Sequence, residues 1–183
     1  MYIVALKPAA ALTASPVITP QPTQAPTPSV TPRPTASGNS PSGEAMPVGD
    51  LPGWKQIVTD DFTTNVTVGD FPGTAYKSKW DVYLDGWPDS AGKRGQPSRY
   101  YPSKVISVSN GVLNKYLHSE NGISMGAAIL PILPGHTSSR NGQRYGKYTV
   151  RFKSQSIRGY KTAWLQWPDS GVWPRDGEID FPE

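Results

Sequence analysis

Hydrophobic and polar residues alternate in short runs from Trp54 onward, with a period of two rather than the longer period of a helix. In the stretch 147–153, Tyr148, Val150 and Phe152 alternate with lysine, threonine and arginine. This is the pattern of a strand with one buried and one solvated face. No helical periodicity extends beyond a turn or two. The strands that the pattern predicts are 104–109, 111–118, 126–130, 146–153, 161–167 and 177–183.

Turn dipeptides separate these predicted strands. Asn110-Gly111 lies between two short apolar runs, and both of its positions tolerate the positive φ of a two-residue hairpin turn. Asn121-Gly122 and Asn141-Gly142 are further turn signals. Many short strands at this spacing indicate an all-β fold of the sandwich type.

The first fifty residues have a different composition. They hold half of the 20 prolines in this 183-residue chain, and Arg33 is the one charged residue in the Thr-Pro-rich run 15–42. Such a run cannot bury enough apolar surface to offset its chain entropy. We therefore predict a disordered N-terminal segment and linker over 1–50 and a folded domain over 51–183. The apolar start of the chain is interrupted by Lys7 and Pro8, so we predict no transmembrane segment.

Charge and residue usage exclude several classes of function. The net charge is +4, and the basic residues are scattered rather than gathered in a patch, so we expect no nucleic-acid partner. Cysteine is absent, which excludes disulfides and thiol catalysis. His118 and His136 are isolated, and no Gly-rich phosphate loop occurs. We expect neither a metal nor another cofactor, and no Ser-His-Asp site.

The end of the chain concentrates acidic residues in one predicted strand. Glu178 and Asp180 are two positions apart and share a face, whereas Glu183 would point to the other face. A bulge at Phe181-Pro182 adds one residue and returns Glu183 to the face of the other two, since proline inside a sheet is largely confined to bulges and edges.

Three carboxyls on one face raise one another's pKa values, so their grouping indicates a partner or a reaction. Glycoside hydrolysis needs one carboxyl protonated and one ionised. A Ca²⁺ or Mg²⁺ site and a solvated acidic strand end are the alternatives that spacing alone leaves open.

Three segments in order resemble glycoside hydrolase family 16. They are the Tyr-Gly-Lys-Tyr-Thr-Val-Arg strand 145–151, the Ala-Trp-Leu strand 163–165, and Trp-Pro-Arg-Asp-Gly-Glu-Ile-Asp-Phe-Pro-Glu at 173–183. The last contains the Glu-x-Asp-x-x-Glu signature of the laminarinase-like branch. The likeness extends over about residues 54–183.

The resemblance implies a concanavalin-like jelly-roll β-sandwich and retaining, endo-acting hydrolysis of a polysaccharide, with β-1,3-glucan or mixed-linkage β-glucan as the leading substrates. It implies Glu178 as nucleophile, Glu183 as general acid/base and Asp180 as the residue that tunes the nucleophile. Members of this family continue past the signature. We therefore expect the chain to be the N-terminal part of a catalytic domain, incomplete at its C-terminus and inactive or only very weakly active by itself.

Tryptophans precede the acidic strand, and aromatic faces bind the apolar faces of sugar rings. Trp164, Trp167 and Trp173 are candidate substrate contacts, with core packing as the alternative for each. Trp173 is favoured because Trp-Pro-Arg-Asp-Gly is typical of an exposed turn. Arg175 could bind substrate hydroxyls, although pairing with Asp176 is favoured. Trp80 and Trp87 flank another loop that could lie over the cleft.

Two classes of function remain at this stage. The first is an exported or cell-surface β-glucanase that acts as a monomer on a polysaccharide. The second is a non-catalytic carbohydrate-binding module on the same sandwich. Within the enzyme class, agar, carrageenan, galactan and xyloglucan stay open as substrates, since loops set substrate choice on a shared fold.

Overall fold

Strands dominate the fold. The computed structural model describes the backbone of residues 2–8 and both backbone and side chains of residues 49–181. Its strands are β1 (Tyr2–Pro8), β2 (Trp54–Asp60), β3 (Trp80–Val82), β4 (Ser98–Tyr100), β5 (Ile106–Ser109), β6 (Val112–Lys115), β7 (His118–Glu120), β8 (Ile123–Gly126), β9 (Ile129–Pro131), β10 (Lys147–Arg151), β11 (Leu165–Gln166) and β12 (Ile179–Asp180). The helices are α1 (Gly73–Tyr76), α2 (Pro102–Val105) and the 3₁₀ turn Gly92–Arg94. The protein is therefore all-β, as the sequence predicts.

The strands form several small sheets. Their orders are β10-β1-β2, β4-β8-β7, β5-β6, β3-β9 and β11-β12. All pairs are antiparallel except β4 with β8, which is parallel. None of the helices in the described residues is long and apolar enough to cross a membrane.

The hairpin predicted at Asn110-Gly111 is confirmed. β5 and β6 pair with Ser109 opposite Val112, and the two turn residues have φ values of 51° and 70°. Positive φ at both central positions matches the right-handed twist of the strands. Asn121-Gly122 joins β7 to β8 in the same way, with φ values of 50° and 77°.

The core is a cluster of aromatic and aliphatic side chains. Most of them come from the chain segment 62–80 and from the β5–β6 hairpin. Phe62 lies at its centre, 5.5 Å from the ring of Trp80 and 5.7 Å from that of Tyr76, measured between centroids. Trp80 is 1% exposed, so it packs in the core rather than beside a cleft. The buried members are Phe62, Phe71, Tyr76, Trp80, Val105, Ile106, Val108, Leu113 and Met125.

A buried carboxylate ties this core to β2. Asp60 is 4% exposed; it accepts hydrogen bonds from the Trp80 Nε1–H at 2.8 Å and from the Phe62 backbone N–H at 3.0 Å. The Lys79 ammonium lies 3.5 Å away. These partners satisfy a charge that would be costly to bury alone.

The start of the chain departs from the sequence-based expectation. Tyr2–Pro8 is a strand that pairs with β10 on one side and β2 on the other. A run of extended residues can gain backbone hydrogen bonds on both edges, which composition alone does not reveal. Residues 9–48, which hold the Pro/Thr-rich run, lie outside the described residues.

Several strands are shorter than predicted. The segment predicted as 104–109 begins with the helical turn α2, in which Pro102 occupies a first-turn position. The predicted strands 111–118 and 126–130 correspond to separate short strands, and 161–167 and 177–183 reduce to β11 and β12. Asn141-Gly142, predicted as turn residues, lies in a loop without regular structure, where the Gly142 N–H donates to Asp169 Oδ2 at 2.8 Å.

The predicted two-faced pattern of the strand at 147–153 is only partly seen. Thr149 and Arg151 are half-buried like Tyr148 and Val150. Phe152, predicted on the buried face, is 41% exposed. It follows the last residue of β10, and its ring contacts Trp164 at the edge of the core.

Candidate functional site

The acidic residues lie on a two-stranded ribbon outside the core. β12 pairs with β11, so that Asp180 is opposite Leu165 and Ile179 is opposite Gln166. Glu178 directly precedes β12, after the left-handed Gly177 at φ 78°. Ile179 is 61% and Leu165 44% exposed. The ribbon therefore presents its side chains to solvent.

Two contacts hold the end of this ribbon. The Phe181 backbone N–H donates to the carbonyl oxygen of Trp164 at 2.6 Å. The ring of Phe181 lies 6.4 Å from that of Tyr148 on β10, at an interplanar angle of 45°. The acidic strand is thus attached to the core through Trp164 and to the β10 sheet through Tyr148.

Glu178 and Asp180 are both exposed. Neither side chain forms a hydrogen bond or ion pair with another residue in the described part of the chain. Asp180 and Glu178 therefore form no hydrogen bond with each other. Pro182 and Glu183 lie outside the described residues, so the predicted bulge and the meeting of three carboxyls stay predictions.

Trp164 lies at the margin of the core. It packs against the core cluster, and its ring is 5.4 Å from that of Phe152. Its indole Nε1 is the one buried side-chain polar atom without a partner among the described residues. Trp164 therefore packs against the core while its indole N–H has no hydrogen-bond acceptor among the described residues.

A lysine covers the same indole. The Lys115 Nζ is 5.8 Å from the centre of the Trp164 ring and donates to the Ala127 carbonyl at 3.2 Å. Lys115 is exposed as a residue, but its ammonium lies against the indole and the Ala127 carbonyl, and burial of this group lowers the pKa of Lys115 to about 8. At neutral pH the amine is mostly protonated and can make a cation–π contact.

Trp173 begins an exposed turn, as predicted. Its side chain is 59% exposed, and the Asp176 N–H donates to the Val172 carbonyl at 3.0 Å across the turn. Asp176 binds Arg175 through two hydrogen bonds of 2.7 and 2.8 Å and also accepts one from Ser170. The predicted pairing of Arg175 with Asp176 is confirmed.

Trp167 is also exposed, at 48%, just after β11. Two of the three predicted tryptophan contacts therefore face solvent, on either side of the turn 168–171, and the third packs at the core margin. The exposed apolar side chains in this part of the protein are Phe152, Ile157, Leu165, Trp167, Val172, Trp173 and Ile179.

A second aromatic cluster was not predicted. The ring of Tyr83 is 5.8 Å from that of Trp87 and 5.1 Å from that of Tyr100. Trp87 was noted in the sequence, but Tyr83 and Tyr100 were not. The cluster forms through the fold, because Tyr100 ends β4 and Tyr83 follows β3, and no sequence period connects them.

Within the described residues, no three His, Asp or Glu side chains converge in a way that could hold a metal ion. Comparisons of the chain with protein-family models, with curated proteins and with solved structures found no match. The similarity to glycoside hydrolase family 16 therefore rests on the three sequence motifs.

Proposed function

We propose that the protein is a retaining, endo-acting glycoside hydrolase that cleaves β-glycosidic bonds of a polysaccharide, with β-1,3-glucan or mixed-linkage β-glucan as substrate. The observation that carries this proposal is the exposed Glu178-Ile179-Asp180 segment, with Trp167 and Trp173 exposed in the chain that leads to it. Carboxyls act on a glycosidic bond, and indole faces bind sugar rings. The proposed fold is a jelly-roll sandwich, in keeping with the all-β architecture.

Each acid has a role in the proposed mechanism. The ionised carboxylate of Glu178 attacks the anomeric carbon, and Glu183 protonates the oxygen that leaves. A covalent glycosyl ester on Glu178 results, and water, deprotonated by Glu183, then releases the sugar with its configuration retained. This chemistry requires the two glutamate carboxyls to lie about 5 to 5.5 Å apart. Asp180, two positions from Glu178, is proposed to tune the nucleophile.

The charges around the ribbon support this assignment. The Arg175 guanidinium is bound by both carboxylate oxygens of Asp176, so it does not form an ion pair with Glu178. The carboxylate of Glu178 therefore stays available as a nucleophile.

A carbohydrate-binding module is the second candidate. Trp167 and Trp173 would bind a sugar chain without any reaction, and their exposure favours this reading as much as catalysis. A glycoside hydrolase cleaves the bound polysaccharide, whereas a binding module leaves it intact.

The experiment that separates them follows end-labelled β-1,3-gluco-oligosaccharides by chromatography over hours, beside a panel of mixed-linkage glucan, xyloglucan, agar and galactan. Slow turnover is expected, because Glu178 and Asp180 face water and the transition state is poorly shielded. Glu178→Gln should reduce hydrolysis to background. The control Asp70→Asn changes an exposed carboxylate in the loop before α1, which accepts a hydrogen bond from the Thr67 hydroxyl, and should change the rate by about twofold at most. Binding without hydrolysis of any substrate would favour the module.

A further inference from the structure

The aromatic cluster of Tyr83, Trp87 and Tyr100 has the form of a supported platform. Trp87 is 47% exposed, and Tyr83 packs against it at 42°, while Tyr100 meets Tyr83 edge-on at 74°. Tyr83 and Tyr100 are half-buried. Tyr83 therefore supports the indole, Tyr100 packs against Tyr83 in turn, and a large part of the indole faces solvent.

The loop that carries Trp87 is fixed by its backbone. The Gly86 N–H donates to the Tyr100 carbonyl and the Tyr100 N–H donates to the Trp87 carbonyl, both at 2.8 Å. Gly86 has φ 82°, a value that other residues rarely adopt. Asp85 accepts hydrogen bonds from the backbone N–H and the hydroxyl of Ser103. A ligand that binds this loop would have little backbone freedom to freeze.

The polar tips of the cluster are unused. The Trp87 Nε1 and the hydroxyls of Tyr83 and Tyr100 form no hydrogen bond with any other described residue. The two hydroxyls are not among the buried unpaired atoms, so they reach solvent. Burial, with Tyr83 and Asp89 nearby, raises the pKa of Tyr100, so its hydroxyl keeps its proton. Flat apolar faces with free donors at their edges suit a sugar ring.

Two charged groups beside the cluster, those of Asp89 and Arg99, are engaged within the loop, whereas Lys93 and Arg94 are exposed. The Asp89 carboxylate accepts hydrogen bonds from the Gly92 N–H at 2.7 Å and from the Ser98 hydroxyl. The Arg99 guanidinium donates to the Ser98 carbonyl at 2.8 Å. The choice of a neutral chain therefore follows from the proposed function and not from the charges of this loop.

We propose that Tyr83, Trp87 and Tyr100 form a binding contact for a neutral β-glucan chain, in addition to the acidic ribbon. The choice of glucan rests on the proposed function. The sugar ring stacks on the exposed indole face, and its hydroxyls bind the two tyrosine hydroxyls.

The test is affinity electrophoresis of the 183-residue chain in native gels that contain laminarin, with Glu178→Gln as the background so that the polysaccharide stays intact. Trp87→Ala should weaken the retardation about tenfold in Kd, which corresponds to about 1.4 kcal/mol. Tyr145→Ala is the matched control, because Tyr145 is an exposed aromatic, at 68%, that belongs to neither site. Tyr145→Ala should be retarded as strongly as the Glu178→Gln chain that carries no further substitution.

Two further variants keep the result interpretable. Trp87→Phe retains a ring and should bind more tightly than Trp87→Ala, and Tyr83→Phe removes one hydroxyl and should lose a smaller factor. Circular dichroism confirms that each variant is folded. Unchanged retardation in folded Trp87→Ala, or no retardation of the parent chain by laminarin, would overturn the proposal. Binding in the Glu178→Gln background does not require hydrolysis. Retardation that depends on Trp87 therefore tests the aromatic cluster, whereas hydrolysis by the chain without substitutions tests the catalytic proposal.

Discussion

The backbone N–H of Phe181 donates to the carbonyl oxygen of Trp164 at 2.6 Å, which joins the end of the acidic strand to a residue packed against the core. Trp164 is thereby a structural support for the ribbon. Asp180 and Glu178 lie just before Phe181 in the chain. Their placement depends on this bond and on the β11–β12 pairing.

The contrast between the core and the ribbon predicts unequal effects of two identical substitutions. Leu113→Ala removes a side chain that is 5% exposed in the core and should cost about 2–5 kcal/mol in the free energy of unfolding. Leu165→Ala, at 44% exposure on the ribbon, should cost about 0.5 kcal/mol. Urea unfolding of both variants measures the difference, and equal losses would show that the ribbon is packed like the core.

The hairpin turn predicts a second matched pair. Gly111 has φ 70°, so Gly111→Ala forces a side chain into the left-handed region and should destabilise the protein by about 1–2 kcal/mol. Gly126 lies in β8 at an ordinary φ, and a Cβ built there meets nothing within 4 Å. Gly126→Ala should therefore be neutral or slightly stabilising. Thermal unfolding should show a lower Tm for Gly111→Ala than for Gly126→Ala. Equal or reversed Tm values would contradict a turn that requires positive φ at Gly111.

The ion pairs of His118 predict a pH dependence of stability. Its Nε2 lies 2.9 Å from Glu120 Oε1 and its Nδ1 2.9 Å from the Tyr116 carbonyl. A neutral imidazole has one N–H and could serve only one of these acceptors. Glu120, and then the Tyr116 carbonyl, raise the pKa of His118. Lys104, and then His118, lower the pKa of Glu120.

The two shifts act at opposite ends of the pH range. The contribution of His118 is complete below the unfolded pKa of 6.5 and is lost as pH rises through the higher folded pKa. That of Glu120 is complete above 4.5 and is lost as pH falls through the lower folded pKa. The difference in Tm between the parent chain and His118→Gln should be greatest at about pH 5.5 and should shrink by about pH 9. His136→Gln is the control, and a difference that grows with pH would contradict the assignment.

The parts of the fold that were predicted are those that local chemistry determines. The Asn110-Gly111 turn fixes its hairpin because few residues adopt positive φ. The sequence did not predict the strand at Tyr2–Pro8, because its pairing with β10 and β2 joins distant segments of the chain. Phe152 was placed on a buried face by alternation, but it lies beyond the end of its strand, where alternation no longer determines burial.

The candidate site was predicted residue by residue but not in its arrangement. The turn at Trp173 and the pairing of Arg175 with Asp176 follow from neighbouring residues, and both are confirmed. The burial of Trp80 in the core depends on the position of Asp60, which accepts its N–H. The cluster of Tyr83 with Tyr100 depends on the packing of separate loops, which no local pattern encodes.

The proposed division of roles predicts different behaviour for the two glutamates. Glu178→Ala should abolish turnover of every substrate, since no ester can form. Glu183→Ala should spare the first step for an aryl glycoside with a good leaving group, which needs little protonation. Added azide should accelerate this variant and give a β-glycosyl azide, measured by NMR. Equal losses without azide rescue would leave Glu183 outside the proposed role.

The central claim is that Glu178 is a nucleophile that forms a covalent bond with the sugar, and covalent trapping tests it most directly. The chain is incubated with a 2-deoxy-2-fluoro laminaribiosyl fluoride, whose ester intermediate is hydrolysed slowly, and the peptides are mapped by mass spectrometry. Labelling accumulates even when turnover is slow. The account predicts one sugar per chain on Glu178, none in Glu178→Gln, and undiminished labelling in Asp70→Asn. Labelling of another carboxyl, or none in the folded parent chain, would contradict it.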